Sequence, residues 1–281
     1  MWQPAPMRFG LSTSPQRTTW PWLLEVWKRA DDIELFESGW TFDHLYPLMG
    51  DSTEHCLEGW ITLTALLHET TRLRGGVLVT GMVYRHPGVL ANMASTLDIT
   101  SGGRLELGVG AGWNQEECDA FGIRLGSMTE RFDRFEEGLA VLESLLTHEH
   151  TTFSGSYYKL HQAMNNPKPV QSPLPICIGG SGRRRTLPMA ARHAHHWNFG
   201  GSDVAEFAQC REVLHEACDV IGRDPDEITC SVLVRAGDDL TALARDVAAF
   251  EAAGADLALV SLPKTAPPAF VEHVGAALGG R

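Results

Sequence analysis

Short apolar runs typical of β-strands alternate eight times with amphipathic stretches typical of α-helices along the 281 residues of the sequence. The predicted strands cover residues 8–12, 40–43, 73–80, 104–109, 175–179, 194–199, 227–234 and 255–262. Strands that alternate with helices indicate a parallel sheet, and eight such units favour closure into a (β/α)8 TIM barrel spanning residues 1–281 as one domain. A doubly wound open sheet, which shows the same alternation, is the alternative fold.

One segment interrupts this alternation before the fifth strand. Residues 148–160 are rich in β-branched and aromatic side chains around Gly155, a pattern that predicts an inserted hairpin. In a barrel, insertions on the carboxyl-terminal side of the strands build the wall of the active site.

Charge and composition narrow the class of protein. The formal net charge is -12 at pH 7, whereas a nucleic-acid-binding protein needs a basic face. No apolar run approaches the roughly 20 residues that would span a bilayer, and the start of the sequence, from Met1 to Pro4, lacks the pattern of a signal peptide. The six cysteines include no C-x-x-C pair, which favours reduced thiols over disulfides or zinc. We therefore expect a cytoplasmic protein that acts on a small molecule, without a nucleic-acid or membrane partner.

A glycine-rich loop follows the fourth predicted strand, at residues 108–113 (GVGAGW). Because glycine carries no Cβ, such a backbone can approach a planar or anionic ligand closely. The spacing does not match the G-x-G-x-x-G of dinucleotide-binding loops. By itself the loop is either a ligand site or a turn whose glycines relieve crowding.

A second glycine loop follows the fifth strand, at residues 179–182 (GGSG), and three arginines come directly after it, at 183–185. Backbone N–H groups at a helix N-terminus, a hydroxyl group and nearby guanidinium groups suit a phosphate. The alternative is a strand turn beside a solvated basic helix. In a barrel both loops lie at the end that holds active sites, so each strengthens the interpretation of the other.

Three further groups of polar residues carry possible chemistry. His44 follows Asp43 at the end of strand two, where an imidazole can exchange a proton near neutral pH or serve only structure. Arg85, after strand three, either holds an anion or pairs with a carboxylate. His195 and His196 are adjacent and so point to opposite faces of a strand, which argues against a metal site.

These motifs occur in an order that matches one known family. The match is carried by residues 79–87 (VTGMVYRHP), 101–105 (SGGRL), 108–113, 131–137 (RFDRFEE) and 178–182 (IGGSG), and it extends over most of the chain. The sequence resembles the luciferase-like monooxygenase superfamily, in its deazaflavin-dependent branch, which uses coenzyme F-420.

The resemblance implies a (β/α)8 barrel with a flavin or deazaflavin ring at the carboxyl-terminal mouth, and a homodimer. It implies a non-prolyl cis peptide behind the ring, near Val77 and Leu78. The positions that match the family's coenzyme-binding residues are Asp43, Thr80, Gly110, Ala111, Gly112, Gly179, Gly180 and Ser181. His44 matches the family's strand-two histidine.

Departures from the family pattern narrow the expected activity. Sugar-phosphate dehydrogenases of this superfamily place a glutamate where this chain has Trp113, and a tryptophan where it has Leu48. Alkanesulfonate-type monooxygenases, which use FMN, present a histidine and a tyrosine to the phosphate where this chain has Met128 and Phe132. The coenzyme is therefore expected to be F-420, with FMN as the alternative, and the basic cluster at residues 183–185 suits its charged tail.

The sequence thus predicts an oxidoreductase that moves a hydride between coenzyme F-420 and a hydrophobic organic substrate. His44 is the expected proton donor or acceptor, and Trp113 with Tyr157 or Tyr158 is expected to line the substrate pocket, unless these rings serve ordinary loop packing. An FMN-dependent monooxygenase using oxygen and a non-catalytic flavin-binding barrel are the alternatives.

Overall fold

The computed structural model of the chain describes residues 6–48 and 50–280. The amino-terminal residues that bear on the expected absence of a signal peptide lie outside this part. The strands are β1 (Arg8–Ser12), β2 (Phe36–Thr41), β3 (Arg74–Val77), β4 (Thr80–Gly81), β5 (Leu105–Gly110), β6 (Thr151–Ser154), β7 (Lys159–Ala163), β8 (Ile176–Gly179), β9 (His196–Phe199), β10 (Thr229–Arg235) and β11 (Leu257–Ser261). The helices are α1 (Trp20–Asp31), α2 (Gly59–Glu69), α3 (Pro87–Thr100), α4 (Gln115–Ala120), α5 (Met128–Thr147), α6 (Thr186–His193), α7 (Val204–Ile221), α8 (Leu240–Ala252) and α9 (Phe270–Gly279).

Eight parallel strands close into a ring. The order is β3-β2-β1-β11-β10-β9-β8-β5, and β5 returns to β3 through the pairs Gly75–Leu105 and Gly76–Glu106. An open sheet has two edges, whereas this closing contact leaves none, so the predicted TIM barrel is confirmed and the doubly wound alternative is wrong. Short strand β4 extends the third position of the ring and pairs with β5.

Most predicted strands agree with the structure to within two residues, and the second and third differ most. β2 begins at Phe36 rather than residue 40 and ends at Thr41, so Asp43 and His44 follow the strand instead of closing it. Glu37 and Ser38 interrupt its apolar run, which hid the first half of the strand from the sequence pattern. The predicted third strand is divided into β3 and β4 around a cis peptide bond between Leu78 and Val79.

The predicted hairpin is confirmed, with strands β6 and β7 pairing antiparallel before β8. Its turn is fastened to α5 by one carboxylate. The backbone N–H groups of Ser156, Tyr157 and Tyr158 donate to Glu137 over 2.7, 2.8 and 3.1 Å. The hairpin is therefore held against the outer helices at its tip.

Most of the core lies between the ring and the helices, around fully buried aromatic side chains such as Trp27, Trp197 and Phe207. The ring itself is tightly closed. A Cβ built on Gly108 would lie 1.9 Å from the carbonyl oxygen of Val77, so only glycine allows β5 to pass so close to β3.

The interior of the ring also holds a buried polar group. His196 Nδ1 lies 3.2 Å from Glu106 Oε2, and its Nε2 lies 2.6 Å from Ser231 Oγ. Burial alone would lower the pKa of His196, but its contacts with Cys177 and Glu106 outweigh it and raise the pKa to about 10. Burial would likewise raise the pKa of Glu106, but the hydrogen bond from His196 and the charge of Arg74 lower it to about 2. Both groups are therefore charged at neutral pH.

Within residues 6–48 and 50–280, no helix is both long and apolar enough to cross a membrane.

Candidate active site

A cavity of about 250 Å³ opens at the carboxyl-terminal mouth of the barrel, beside the ends of β4, β5, β8, β9 and β10. This is the end of a TIM barrel at which active sites are built. Five glycines form much of its wall: Gly81, Gly112, Gly179, Gly180 and Gly200. Two of them have backbone conformations that favour glycine, with φ of +84° at Gly112 and +119° at Gly180.

The remaining lining combines aliphatic side chains with aromatic and polar ones. Leu78, Val79 and Leu233 are aliphatic, and the other lining side chains are His44, Tyr84, Trp113 and Asn198. Glycine backbone and branched aliphatic side chains let a flat ring lie close to the protein, while histidine and asparagine can bond to polar atoms at its rim. The cavity therefore fits a flat heteroaromatic ring such as that of a flavin or deazaflavin.

His44 is held at the edge of the cavity by a buried carboxylate. Its Nδ1 lies 2.8 Å from Glu117 Oε2, and the Glu117 side chain is fully buried. Nε2 of His44 has no hydrogen-bond partner among the described residues. Because one ring nitrogen is occupied by Glu117, Nε2 is the nitrogen that a ligand can reach.

Glu117 accepts two further hydrogen bonds. The Tyr84 hydroxyl donates to Oε2 over 2.5 Å, and the backbone N–H of Leu45 donates to Oε1. Burial tends to raise the pKa of Glu117, but the bonds from Tyr84, Leu45 and His44 outweigh it and lower the pKa. Glu117 is therefore an ionised carboxylate that is buried from solvent.

Local sequence explains how Glu117 reaches this position. Asn114 begins α4, and its side chain accepts the backbone N–H of Glu117 over 3.2 Å. Asparagine is a favoured N-cap residue, and it fixes the first turn of this short helix directly after the glycine loop. The third residue of the turn then points inward beneath His44.

Arg85 pairs with carboxylates and does not face an open anion site. It makes a two-nitrogen contact with Asp43 and bonds to Glu58 Oε1 over 2.6 Å. Asp43 is 2% exposed and lies behind the cavity rather than on its lining. Thr80, which is also buried, accepts the indole N–H of Trp60 over 2.7 Å.

The second glycine loop leads to a helix whose N-terminus has no side-chain cap. α6 begins at Thr186, three residues later than the sequence indicates, and no side chain accepts its first N–H groups. In this first turn the N–H of Leu187 donates to the carbonyl oxygen of Gly182 over 3.1 Å, and Pro188 has no N–H. The N–H of Thr186 is therefore the group that the helix start offers to a phosphate. Of the arginines, Arg185 is bound to Asp133 and Glu136, and Arg183 bonds to Gln209. The basic cluster is thus partly neutralised by the protein itself.

The structure separates the predicted site residues into two groups. His44, Leu78, Gly112, Trp113, Gly179 and Gly180 line the cavity. Asp43, Val77, Thr80, Gly110, Ala111, Ser181 and Tyr157 are not among its lining residues. The cis peptide expected near Val77 and Leu78 lies one bond further on, at Leu78–Val79, and both of its residues line the cavity.

The two aromatic residues predicted for the substrate pocket lie in different surroundings. Trp113 is 62% exposed, and its ring centroid is 5.6 Å from that of His44. Tyr157 lies on the hairpin with the Arg134 guanidinium 5.6 Å from its ring centroid. Trp113 alone of the two stands beside the cavity.

Sequence reasoning missed Glu117, Tyr84 and Asn198. In the sequence, Glu117 is one of two adjacent glutamates after the glycine loop, and Tyr84 is one residue within the family-matching segment 79–87. Their signal was position, because Tyr84 and Glu117 follow the carboxyl ends of β4 and β5, and Asn198 lies near the carboxyl end of β9.

Fold and site together define a (β/α)8 barrel with a ring-sized cavity and a carboxylate-bound histidine at its carboxyl-terminal mouth. The chain belongs to the luciferase-like monooxygenase family, whose model matches residues 6–277. The family predicted from the sequence is confirmed.

Named relatives agree with the predicted branch. The chain is 34% identical over 226 residues to an F-420-dependent glucose-6-phosphate dehydrogenase of Microbacterium testaceum, covering 79% of this chain and 66% of the relative. It is 29% identical to an F-420-dependent hydroxymycolic acid dehydrogenase of Mycobacterium tuberculosis, covering 79% of this chain and 61% of the relative. The matched part is thus less than two-thirds of either relative's length.

A solved structure shares the fold along almost the whole chain. An F-420-dependent secondary alcohol dehydrogenase, in complex with an F-420–acetone adduct, superposes with a TM-score of 0.87 at 18% identity. The match covers 98% of this chain and 99% of that structure.

Proposed function

We propose that the protein is an oxidoreductase that moves a hydride between coenzyme F-420 and an uncharged, hydrophobic organic substrate. The names of the curated relatives support the coenzyme, and so does the departure at Met128 and Phe132 from the residues that bind the phosphate of FMN. The observation that carries the proposal is the placement of His44, whose Nδ1 bonds to Glu117 while Nε2 faces a glycine-walled cavity.

The chain supplies one surface that would contact the ring of the coenzyme and one loop that would bind its phosphate. Leu78, Val79 and Gly112 would lie against the ring, and the loop from Gly179 to Ser181 with the start of α6 would bind the phosphate. Coenzyme F-420, when bound, supplies the carbon that accepts or gives the hydride.

His44 handles the proton that accompanies the hydride. For an alcohol substrate, Nε2 accepts the hydroxyl proton as the hydride leaves the neighbouring carbon; in reduction of a carbonyl group the same nitrogen gives the proton back. Glu117 holds Nδ1 as the hydrogen-bond donor, which keeps the Nε2 lone pair toward the substrate and stabilises the imidazolium. The proton is thus carried by a group of fixed orientation.

The charge of the lining defines the class of substrate. No lysine or arginine is among the residues that line the cavity, and Arg85 nearby is occupied by two carboxylates. A sugar phosphate would lack a counter-ion here, whereas Trp113 offers an apolar face. This favours an uncharged alcohol, aldehyde or ketone.

We also propose that the protein is a cytoplasmic homodimer, as expected for this family. Ile61 on α2 and Val89 on α3 are exposed apolar side chains that such a dimer would cover.

The variant His44→Gln tests the role of the histidine. We expect turnover with a panel of uncharged secondary alcohols to fall by about 10²-fold or more, while F-420 binding is retained. His68→Gln, an exposed change on α2, is the matched control. Unchanged turnover in His44→Gln would remove the proposed proton carrier.

A further inference from the structure

Glu117 Oε2 is shared by two donors that come from different parts of the barrel. His44 Nδ1 lies 2.8 Å from it and the Tyr84 hydroxyl lies 2.5 Å from it. No lysine or arginine forms an ion pair with Glu117 in the described part of the chain. The imidazole is therefore the group that can place a positive charge beside this buried carboxylate.

We infer that Glu117 and Tyr84 are positioning residues that set the proton affinity of His44 in opposite directions. The carboxylate favours the imidazolium, since an opposite charge at hydrogen-bond distance stabilises the charged form. The Tyr84 hydroxyl draws part of the same oxygen's charge into its own hydrogen bond and so limits that stabilisation. The consequence for catalysis rests on the proposed function of His44; the effect on its protonation does not.

Tyr84 is neutral and Glu117 is ionised near neutral pH. Burial raises the pKa of Tyr84 far above its ordinary value, and the Glu117 carboxylate raises it further, so the hydroxyl remains a donor. Burial works against ionisation of Glu117, yet its three hydrogen bonds lower its pKa below the ordinary value. The Glu117 carboxylate therefore keeps its negative charge, and the Tyr84 hydroxyl keeps its hydrogen bond to it.

Other titratable groups around His44 are neutral, paired or exposed. Asp43 is paired with Arg85, which also binds Glu58. Burial raises the pKa of Cys56, whose Sγ donates to the His44 carbonyl, to about 11, and it also raises the pKa of Cys118. Glu116 on α4 is exposed, so solvent screens it. The remaining neighbours are the rings of Phe42 and Trp113. Glu117 is thus the buried charge, without an Arg or Lys partner among the described residues, that contacts His44 directly.

The test is an NMR titration of histidine-labelled full-length protein, with the His44→Gln variant identifying the His44 signal. We expect the titration midpoint of His44 to fall by about one pH unit or more in Glu117→Gln, because the charge is removed. In Tyr84→Phe we expect it to rise by about half a unit, because Oε2 then bonds to His44 alone. Tyr158→Phe, a change at a buried tyrosine on the hairpin, is the matched control and should leave the midpoint unchanged.

The order of the midpoints decides the inference. A His44 midpoint that is lower than wild type in Glu117→Gln and higher than wild type in Tyr84→Phe supports the inference. An unchanged or lowered midpoint in Tyr84→Phe overturns it, even where Glu117→Gln does not fold. The same titration repeated with added F-420, beside the pH profile of kcat/KM, separates the two proposals. Shifted midpoints without a matching shift of the profile contradict the proposed function of His44 and leave its positioning established.

Discussion

Arg85 and Asp43 form a buried ion pair directly behind the cavity, although 42 positions of sequence separate them. The guanidinium reaches across from the segment after β4 and also binds Glu58 at the start of α2. The segments after β2 and β4 and the start of α2 are thereby held together beside His44. Arg85 is 17% exposed and Asp43 is 2% exposed, so solvent screens this pair very little.

Removing the cation from this pair should destabilise the protein in a pH-dependent way. In Arg85→Met, Asp43 is left as an unpaired buried charge, which costs about 3–5 kcal/mol of the free energy of unfolding at neutral pH. Burial already raises the pKa of Asp43, and Arg85 counteracts that rise. Without Arg85 the folded-state pKa moves further above the unfolded value of 3.8, so protonation on acidification should reduce the deficit. Urea denaturation between pH 4 and 8 measures this; a deficit that stays constant with pH would contradict it.

Trp113 and Trp40 should respond differently to truncation. Trp113 is 62% exposed and Trp40 is fully buried inside the ring. Trp113→Ala should change the free energy of unfolding by less than about 0.5 kcal/mol and raise KM for hydrophobic alcohols about tenfold. Trp40→Ala should instead cost about 3–5 kcal/mol. Urea denaturation and steady-state kinetics provide the two measurements, with Phe121→Ala, another exposed aromatic change, as the kinetic control. Equal KM values in Trp113→Ala and wild type would remove Trp113 from the substrate wall.

The buried pair of His196 and Glu106 should give the protein a stability maximum on the mildly acidic side. His196 holds its proton up to about pH 10 in the folded protein but only to about 6.5 when unfolded, so its contribution is complete below pH 6.5 and is lost as the pH rises toward 10. The pKa of Glu106 falls from 4.5 to about 2 on folding, so its contribution is complete above pH 4.5 and is lost as the pH falls toward 2. Together the two groups stabilise the folded protein most between about pH 4.5 and 6.5.

His196→Gln isolates this effect from the other groups that titrate at high pH. The difference in free energy of unfolding between wild type and the variant should shrink by on the order of 3 kcal/mol between pH 6.5 and 10. Denaturation curves at both ends of that range supply the measurement. A difference that does not change with pH would show that His196 carries no extra proton in the folded protein.

The fold was predictable from the sequence because its signal is local. Each strand and helix repeats its own hydrophobic period, and the β-branched segment around Gly155 marks the hairpin without reference to the rest of the chain. The first half of β2 was not predicted, because Glu37 and Ser38 break its apolar run. Whether Arg85 binds an anion or a carboxylate was undecidable locally, since its partners are 42 and 27 positions away.

The site was predictable only where a residue carries its own signature. His44, Trp113 and the two glycine loops follow strands in the sequence, and the structure brings part of this set to one cavity. Glu117 bonds to His44, which is 73 positions away in the sequence, and no local sequence pattern predicts that contact. Tyr157 belongs to a segment correctly predicted as a hairpin, yet the anchoring of its turn by Glu137 holds it away from the lining.

Calorimetric titration of the purified protein with coenzyme F-420 and, in parallel, with FMN determines which coenzyme the barrel binds. We expect saturable, one-site binding of F-420 in the micromolar range or tighter, about −8 kcal/mol, and at least a hundredfold weaker binding of FMN. Gly180→Val should abolish the F-420 signal, because a β-branched residue does not adopt the φ of +119° found beside the cavity. Tight binding of FMN with no measurable binding of F-420 would show that the protein does not use F-420 as its coenzyme.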